Sequence, residues 1–414
     1  MRNFVAKDGF VAQSGDPSSD FNAFRPAPLP SHSRRWRWEY SPRHPIMESY
    51  DYLIVGCGIA GITMAERLAS QGKRCLIVDR RPHIGGNCYD HLDEHGVLIH
   101  PYGPHYFRTN SDAVVEYLSR FTTWQPTEYR VLSYIDGTYY NFPINLNTFE
   151  QIIGRPSDEA EMQAMLEEWR VPIPVPQNSE EVILSQVGWK LYEMFFKNYT
   201  LKQWKLPPAE LEASVCGRIP IRTNRDDRYL SEKFQALPKQ GYTAMFLRML
   251  DSPLITVRLE TDFKDIGDGV KWENLIYTGM IDAYYDYRFG PLPYRSLRFV
   301  HEHHDMHYFQ PAMQVNFPNE REYTRIIEIK HATGQQVPGT TIIKEYPEDF
   351  GPGREPYYPV PTEANRVLYQ QYRVLADADP HVTFLGRLAS YRYYNMDQIV
   401  ASALTTFRQM SPSA

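Results

Sequence analysis

The strongest constraint on the fold is the run Gly56-Cys57-Gly58-Ile59-Ala60-Gly61. Before it stand Tyr52-Leu53-Ile54-Val55, an unbroken apolar stretch of the kind that forms a strand buried on both faces, and after it a helical pattern continues to about Gln71. A second apolar stretch, Cys75-Leu76-Ile77-Val78, ends in Asp79. Strand, glycine turn, helix and strand make a βαβ unit. Its glycines allow the tight turn, the approach of backbone to a pyrophosphate and close packing of helix on strand. The free N–H groups and positive potential at the helix start favour phosphate, and Asp79, 23 residues after Gly56, can accept hydrogen bonds from ribose hydroxyls. The unit predicts a dinucleotide held by Gly56, Gly58, Ile59, Ala60, Gly61 and Asp79.

NAD and FAD both use such a unit, and the next residues distinguish them. Arg80-Arg81-Pro82-His83-Ile84-Gly85-Gly86-Asn87 resembles the arginine and double-glycine extension of the FAD-containing amine oxidase and mutase superfamily. Two adjacent glycines let backbone approach the ribityl-diphosphate arm. Leu275-Ile276-Tyr277-Thr278-Gly279 is similar to the strand and Thr-Gly turn with which those proteins return to the cofactor. The resemblance implies FAD, with Arg80, Gly85, Gly86 and Asn87 among its contacts.

At 414 residues the chain exceeds one simple core, and two or three lobes around a shared cleft are expected. The fold class is α/β: an FAD-binding Rossmann-type domain with an inserted helical domain and a mostly antiparallel β-sheet domain. The pattern divides as follows: residues 1–47 a poorly ordered extension, rich in Pro and Ser, with Met47 an alternative start; 48–145 with 216–280 and 375–414 the FAD-binding domain; 146–215 the helical domain; 281–374 the antiparallel sheet. A formal charge of −6 disfavours nucleic acid, so an anionic ligand must be held by local arginines. No apolar run is long enough to span a bilayer. Four cysteines without disulfide or metal spacing, and no signal peptide, fit a reducing cytoplasm. Most of the 30 Tyr, 20 Phe and 7 Trp are expected to fill cores and interfaces.

From Tyr50 onward the chain resembles the UDP-galactopyranose mutases. The likeness is carried by His100-Pro101-Tyr102-Gly103-Pro104-His105, Tyr199-Thr200-Leu201-Lys202-Gln203-Trp204, Arg218-Ile219-Pro220, Tyr294-Arg295-Ser296-Leu297, Tyr323-Thr324-Arg325-Ile326-Ile327-Glu328, Glu345-Tyr346-Pro347 and Pro356-Tyr357-Tyr358-Pro359. It implies interconversion of UDP-galactopyranose and UDP-galactofuranose through a covalent adduct of reduced FAD N5 with the anomeric carbon, as part of surface-polysaccharide synthesis. The implied partners are a UDP-sugar, an external reductant and a second copy of the chain. Carried over residue by residue, Arg218 and Arg325 bind the diphosphate and stabilise it as a leaving group, with Tyr358 and Tyr393 beside them as the catalytic set. Tyr229 contacts the diphosphate and sugar. Phe195, Phe196, Tyr199, Thr200 and Trp204 form the uridine side, although an aromatic stripe at helical spacing also suits a core. Arg295 and Asn316 are further substrate contacts, and His105, Gly386, Arg387, Asn395, Met396 and Gln398 further cofactor contacts. The polar segment of about 217–237 resembles a mobile lid.

Two places depart from the family pattern. Tyr393-Tyr394-Asn395-Met396 has Asn where many members have Asp, and His105-Tyr106-Phe107-Arg108 ends in Arg rather than His. Both leave the sugar open: a related nucleotide sugar is an alternative, as are a flavin oxidase of the amine-oxidase superfamily and a nucleotide-sugar-binding protein with structural FAD. His301, His303, His304 and His307 lack the Cys or carboxylate partners of a metal site, and no metal is expected.

Overall fold

The computed structural model describes residues 47–410. Apart from Met47, the extension expected at 1–47 lies outside the described residues.

Five strands form an all-parallel sheet in the order Ile255–Arg258, Cys75–Val78, Glu48–Val55, Val270–Tyr277, Val382–Phe384. The apolar runs at 52–55 and 75–78 are its centre, where Leu53, Ile54 and Cys75 to Val78 are fully buried. Val55 stands opposite both Val78 and Tyr277, Val78 opposite Arg258 and Tyr277 opposite Phe384, so the carboxyl ends align. The loops that leave them, beginning at Gly56, Asp79, Thr278 and Leu385, therefore share one edge, where ligands of open α/β sheets bind. Helix Ile59–Ala69 is buried nearly all round and packs on the C-terminal helix Met396–Met410.

A second sheet has seven strands in the order Tyr358–Pro359, Tyr294–His304, Thr340–Asp349, Arg325–Ile327, Gln314–Asn316, Val131–Ile135, Thr138–Phe142. All neighbours are antiparallel except Gln314–Asn316 with Val131–Ile135. This revises the expected division of the chain. The hairpin of Val131–Ile135 and Thr138–Phe142, closed by Asp136 and Gly137 at positive φ, was expected within 48–145 but extends the large sheet. The boundary at 374/375 also falls inside one helix, Glu363–Ala378. Both corrections have one cause, since local pattern shows that a strand or helix exists but not which sheet it joins.

The helical lobe comprises Leu146–Ile153, Glu159–Trp169, Ser179–Leu191, a π-helical turn Tyr192–Lys197 and Asn198–Trp204. Asn145, Asp158 and Asn178 each cap the following helix through a side-chain oxygen. Gly188 breaks Ser179–Leu191 with φ +72° and ψ −178°, and this kink re-aims the stretch that carries Phe195 to Trp204. Among the described residues no helix is long and apolar enough to cross a membrane.

A Cβ at Gly188 would collide with the carbonyl of Trp169, whereas Gly154, at φ +73°, has open space around it. Gly188→Ala is expected to cost roughly 2 kcal/mol or more, from backbone strain plus the clash, and Gly154→Ala about 1 kcal/mol from strain alone. Denaturant midpoints of the two variants check the difference.

Candidate functional site

The glycine turn shows directly why its residues are glycine. Gly56 lies at φ +103°, and a Cβ there would collide with the Thr278 hydroxyl, which donates to the Val55 carbonyl at 2.7 Å. A Cβ on Gly61 would strike the Gly56 carbonyl. Gly85 N–H donates to the Cys57 carbonyl at 2.7 Å, and a Cβ on Gly86 would come within 3.0 Å of the Gly58 Cα. The two glycine motifs thus lie backbone against backbone, with Gly386 nearby against Ala60 and Thr278. No side chain caps the start of Ile59–Ala69 and no acid occupies its first turn, so its amides stay available to an anion. These residues fit a dinucleotide's pyrophosphate. Asp79 accepts from Cys57 N–H at 2.7 Å and Arg81 N–H at 2.9 Å, tying the turn together as well as offering further lone pairs to a ribose. Arg80 is half exposed and pairs with Glu355 at 2.5 Å.

Beside the turn opens a cleft of about 970 Å³, at the top of the roughly 300–1,000 Å³ usual for small-molecule sites. Asn87, His105, Arg387, Asn395, Met396 and Gln398 line it, as do Trp204, Arg218, Tyr229, Arg325, Tyr358 and Tyr393. A smaller recess of about 70 Å³ leads from these substrate-side residues to Phe195, Phe196, Tyr199, Thr200 and Asn316. Phe195 and Phe196 are nearly fully buried and pack on Phe142, so they serve as core and recess wall at once. Gly56, Gly58, Ile59, Ala60, Gly61, Asp79, Gly85, Gly86 and Gly386 do not line the cleft itself. Arg295 bonds to the Asp349 carboxylate and, at 3.1 Å, to the Gln203 carbonyl, and is not among the residues that line either cavity.

The cleft is electropositive although the chain is acidic. Arg108, Arg218, Arg325, Arg366, Arg387 and Arg392 line it against Glu212 and Glu232. Arg218 and Arg325, 107 positions apart, face the same space. Arg218 lies 4.7 Å from the Tyr393 ring centre and Arg387 5.3 Å from it, while Tyr358 stacks on Tyr393 at 5.3 Å. Arg325 is held by Glu345, fully buried, at 2.6 Å and by Gln314 at 3.3 Å. Sequence reasoning assigned no role to Glu345, Gln314 or Tyr129; each depends on strand register, which no local pattern reveals.

His105 Nδ1 bonds the Gly103 carbonyl at 2.8 Å and must be the protonated nitrogen, which leaves Nε2 an acceptor. Burial, reinforced by His100 and Arg387, pushes its pKa down to about 3, so it faces the cleft uncharged. Gln398 Oε1 accepts from the Asn395 N–H at 2.9 Å, capping Met396–Met410. Arg108, the departure from the family pattern, pairs with Glu232 at 2.7 Å.

The segment expected as a lid is not uniformly loose. Arg222 N–H bonds the Ile144 carbonyl, Leu146 N–H the Asn224 carbonyl and Tyr229 N–H the Tyr129 carbonyl, at 3.0, 2.9 and 2.7 Å. Arg225 grips Glu150, and Arg130 grips Asp227, through paired contacts of 2.5–2.8 Å. From 234 the chain is already strand Phe234–Pro238. Residues 217–221, which carry Arg218, show only local backbone bonds among the described residues.

Burial by itself would raise the Tyr393 phenol, but Arg218, Arg387 and Arg325 outweigh it and hold its pKa below the ordinary tyrosine value. Burial, with Glu345 and Tyr393 adding to it, drives the stacked Tyr358 the other way. The folded chain therefore gives up the Tyr393 proton more readily than the unfolded chain. The resulting stabilisation builds as pH rises through the folded-state value and is lost as pH falls through it. In an alkaline absorbance titration one tyrosine is expected to ionise early, and Tyr393→Phe to remove that step; an unchanged early step in the variant would assign it to another residue.

Comparison with known proteins bears on the family and the fold. The family model described as UDP-galactopyranose mutase matches residues 194–393, and that for an NAD(P)-binding Rossmann-like domain matches 54–121. A probable UDP-galactopyranose mutase of Klebsiella pneumoniae is 38% identical over 363 residues, covering 87% of this chain and 94% of that one. A dTDP-fucopyranose mutase of Escherichia coli is 35% identical over 361 residues, covering 85% and 96%. The fold matches a crystal structure of reduced UDP-galactopyranose mutase with TM-score 0.71 at 17% identity, over 88% of this chain and 96% of that one. With this coverage and identity, the chain belongs to the UDP-galactopyranose mutase family.

Proposed function

We propose that the protein interconverts UDP-galactopyranose and UDP-galactofuranose, with FAD in its reduced form as the bound cofactor. The observation that carries this reading is the meeting of Arg218 and Arg325 in one cleft, between the glycine turn and the aromatic recess. When bound, reduced FAD supplies the nucleophile, its N5, that an isomerisation without net redox change requires; an external reductant prepares it.

The chain's own residues do the rest. Arg218 and Arg325 hold the diphosphate with planar forks that stay charged at every working pH. Their contribution grows as negative charge gathers on the departing UDP, which lowers a barrier rather than merely tightening binding. Tyr358 and Tyr393 present hydroxyls beside the same oxygens. The recess walled by Phe195, Phe196, Tyr199 and Trp204 receives the uridine. His105, neutral, adds an acceptor without opposing the arginines. The glycine turn, with Asn87, Arg387 and Gln398 toward the cleft, holds the cofactor, and burial of the sugar between these walls limits access of water.

The protein as purified is expected to release FAD on denaturation. After dithionite reduction it should convert UDP-galactofuranose to UDP-galactopyranose, while the oxidised protein binds UDP without turnover. Equal rates in both states would remove the role of N5. Offering dTDP-fucopyranose beside the UDP-sugar tests the nearest alternative, and faster turnover of it would reassign the sugar and base.

Arg218→Ala and Arg325→Ala are each expected to lower kcat by about 10²-fold or more with FAD retained, as on loss of one oxyanion-type donor. Lysine at either position should restore little, since an ammonium lacks the fork. Near-normal turnover in both alanine variants would remove the diphosphate clamp from the mechanism.

A further inference from the structure

Gln314 is 2% exposed, and its amide is committed on both sides. Its Oε1 accepts from the Tyr129 hydroxyl and, at 3.3 Å, from Arg325 Nη1; its Nε2 donates to Asn316 Oδ1 at 2.8 Å. Arginine can only donate, so the oxygen must face Arg325, and the amide has one orientation that satisfies all three partners. Strand geometry brings these groups together. Gln314 and Asn316 are alternate residues of one strand and share a face, Asn316 stands directly opposite Arg325, and Arg325 directly opposite Glu345 on the next strand.

We propose that Gln314 is a positioning residue that fixes the plane of the Arg325 guanidinium and, through the same amide, the orientation of Asn316. The pair with Glu345 is a single contact, through Nη2 at 2.6 Å, and leaves the fork free to swing about it. An acceptor on Nη1 removes that freedom. Arg325 Nε has no partner among the described residues, so the acceptors on the terminal nitrogens set the direction of the remaining donors. Tyr129 extends the device toward the polar segment 217–237: its hydroxyl holds Gln314 while its carbonyl holds Tyr229 N–H at 2.7 Å. The inference rests on the reading that Arg325 grips a diphosphate, since only a bidentate ligand makes the plane of the guanidinium matter.

The test is a double-mutant cycle on UDP binding to the FAD-loaded protein. Gln314→Met keeps the side chain's length and removes its polar atoms. It is expected to weaken UDP about tenfold, the effect of a lost hydrogen bond to a charged group, with flavin content and melting temperature near those of the parent. In an Arg325→Ala background the same substitution should change UDP affinity by less than about twofold, because nothing is left to position. Equal losses in both backgrounds, or no loss in the single variant, would overturn the proposal. If Gln314→Met fails to fold, Tyr129→Phe carries the same cycle with a smaller expected loss of about threefold. A failure of the diphosphate reading is distinguishable: Arg325→Ala alone would then leave UDP affinity unchanged.

Discussion

Glu345 is fully buried, and a lone carboxylate at that depth would cost several kcal/mol. Arg325 relieves that cost by lying directly across from it on the adjacent strand, at 2.6 Å, and Thr324 adds a hydroxyl at 3.3 Å. The pair does more than neutralise a charge. Close packing around a fully buried carboxylate in a seven-stranded sheet restricts its rotamers, so the guanidinium it holds is referenced to the sheet. The arrangement runs on as a cross-strand row, Ser133, Asn316, Arg325, Glu345, Phe299, in which Arg325 lines the cleft, Asn316 the recess, and Phe299 packs against the loop at Gly103. Partial neutralisation of Arg325 is the cost of this rigidity, whereas Arg218, with no carboxylate partner among the described residues, brings its full charge to the same cleft.

The parallel sheet contributes a different constraint. Its five carboxyl ends are in register, so the loops that follow them crowd one edge. Crowding is resolved by removing side chains: Gly56, Gly61 and Gly86 each sit where a Cβ would meet backbone or a hydroxyl. The same removal exposes backbone amides to a ligand, so close packing and phosphate recognition have one physical origin. His105 and its loop connect this edge to the arginine cleft. His100 Nδ1 accepts the His105 N–H at 3.1 Å, while His100 itself lies 3.9 Å from Asp90, whose carboxylate takes the amides of Tyr242 and Thr243 at the start of another helix.

What was legible in the sequence follows from the range of the interactions involved. The glycine turn and Asp79 at the end of the second strand depend on neighbours within one unit, so local pattern was enough to single them out; Phe195 to Trp204 were nominated by likeness to a family, and the fold sets them along the smaller recess. Arg218, Arg325, Tyr358 and Tyr393 were nominated by likeness to a family, and the fold brings all four to one cleft. Arg295 was nominated in the same way and turns instead to Asp349, because a side chain's direction depends on its partner across the sheet. Glu345 and Gln314 were passed over for the converse reason: their importance is a matter of register between strands that are distant in sequence. Residues 131–142 fell within the stretch 48–145 given to the FAD-binding domain, yet form a hairpin of the large sheet, because the strand they pair with, Gln314–Asn316, lies far along the chain.

The two arginines are mounted differently, and the difference has a mechanical meaning. Arg325 has two acceptors and a sheet behind it. Arg218 follows the short helix Ser214–Gly217, in a stretch with only local backbone bonds, and its firm contact is the face of Tyr393. Beyond it the chain is stitched down again at Arg222, Arg225, Asp227 and Tyr229. Any adjustment of Arg218 is therefore confined to about one turn of chain and does not require the whole polar segment to lift. On the proposed reading, in which a diphosphate leaves and returns during one turnover, such a pair would divide the work. The guanidinium held by two acceptors would keep UDP in place while it is unattached, and the lightly tied one would follow the change in charge and length as the bond to the sugar breaks and re-forms. Two fixed arginines would favour one state of that bond over the other, and two loose ones would let UDP drift from the sugar it must rejoin.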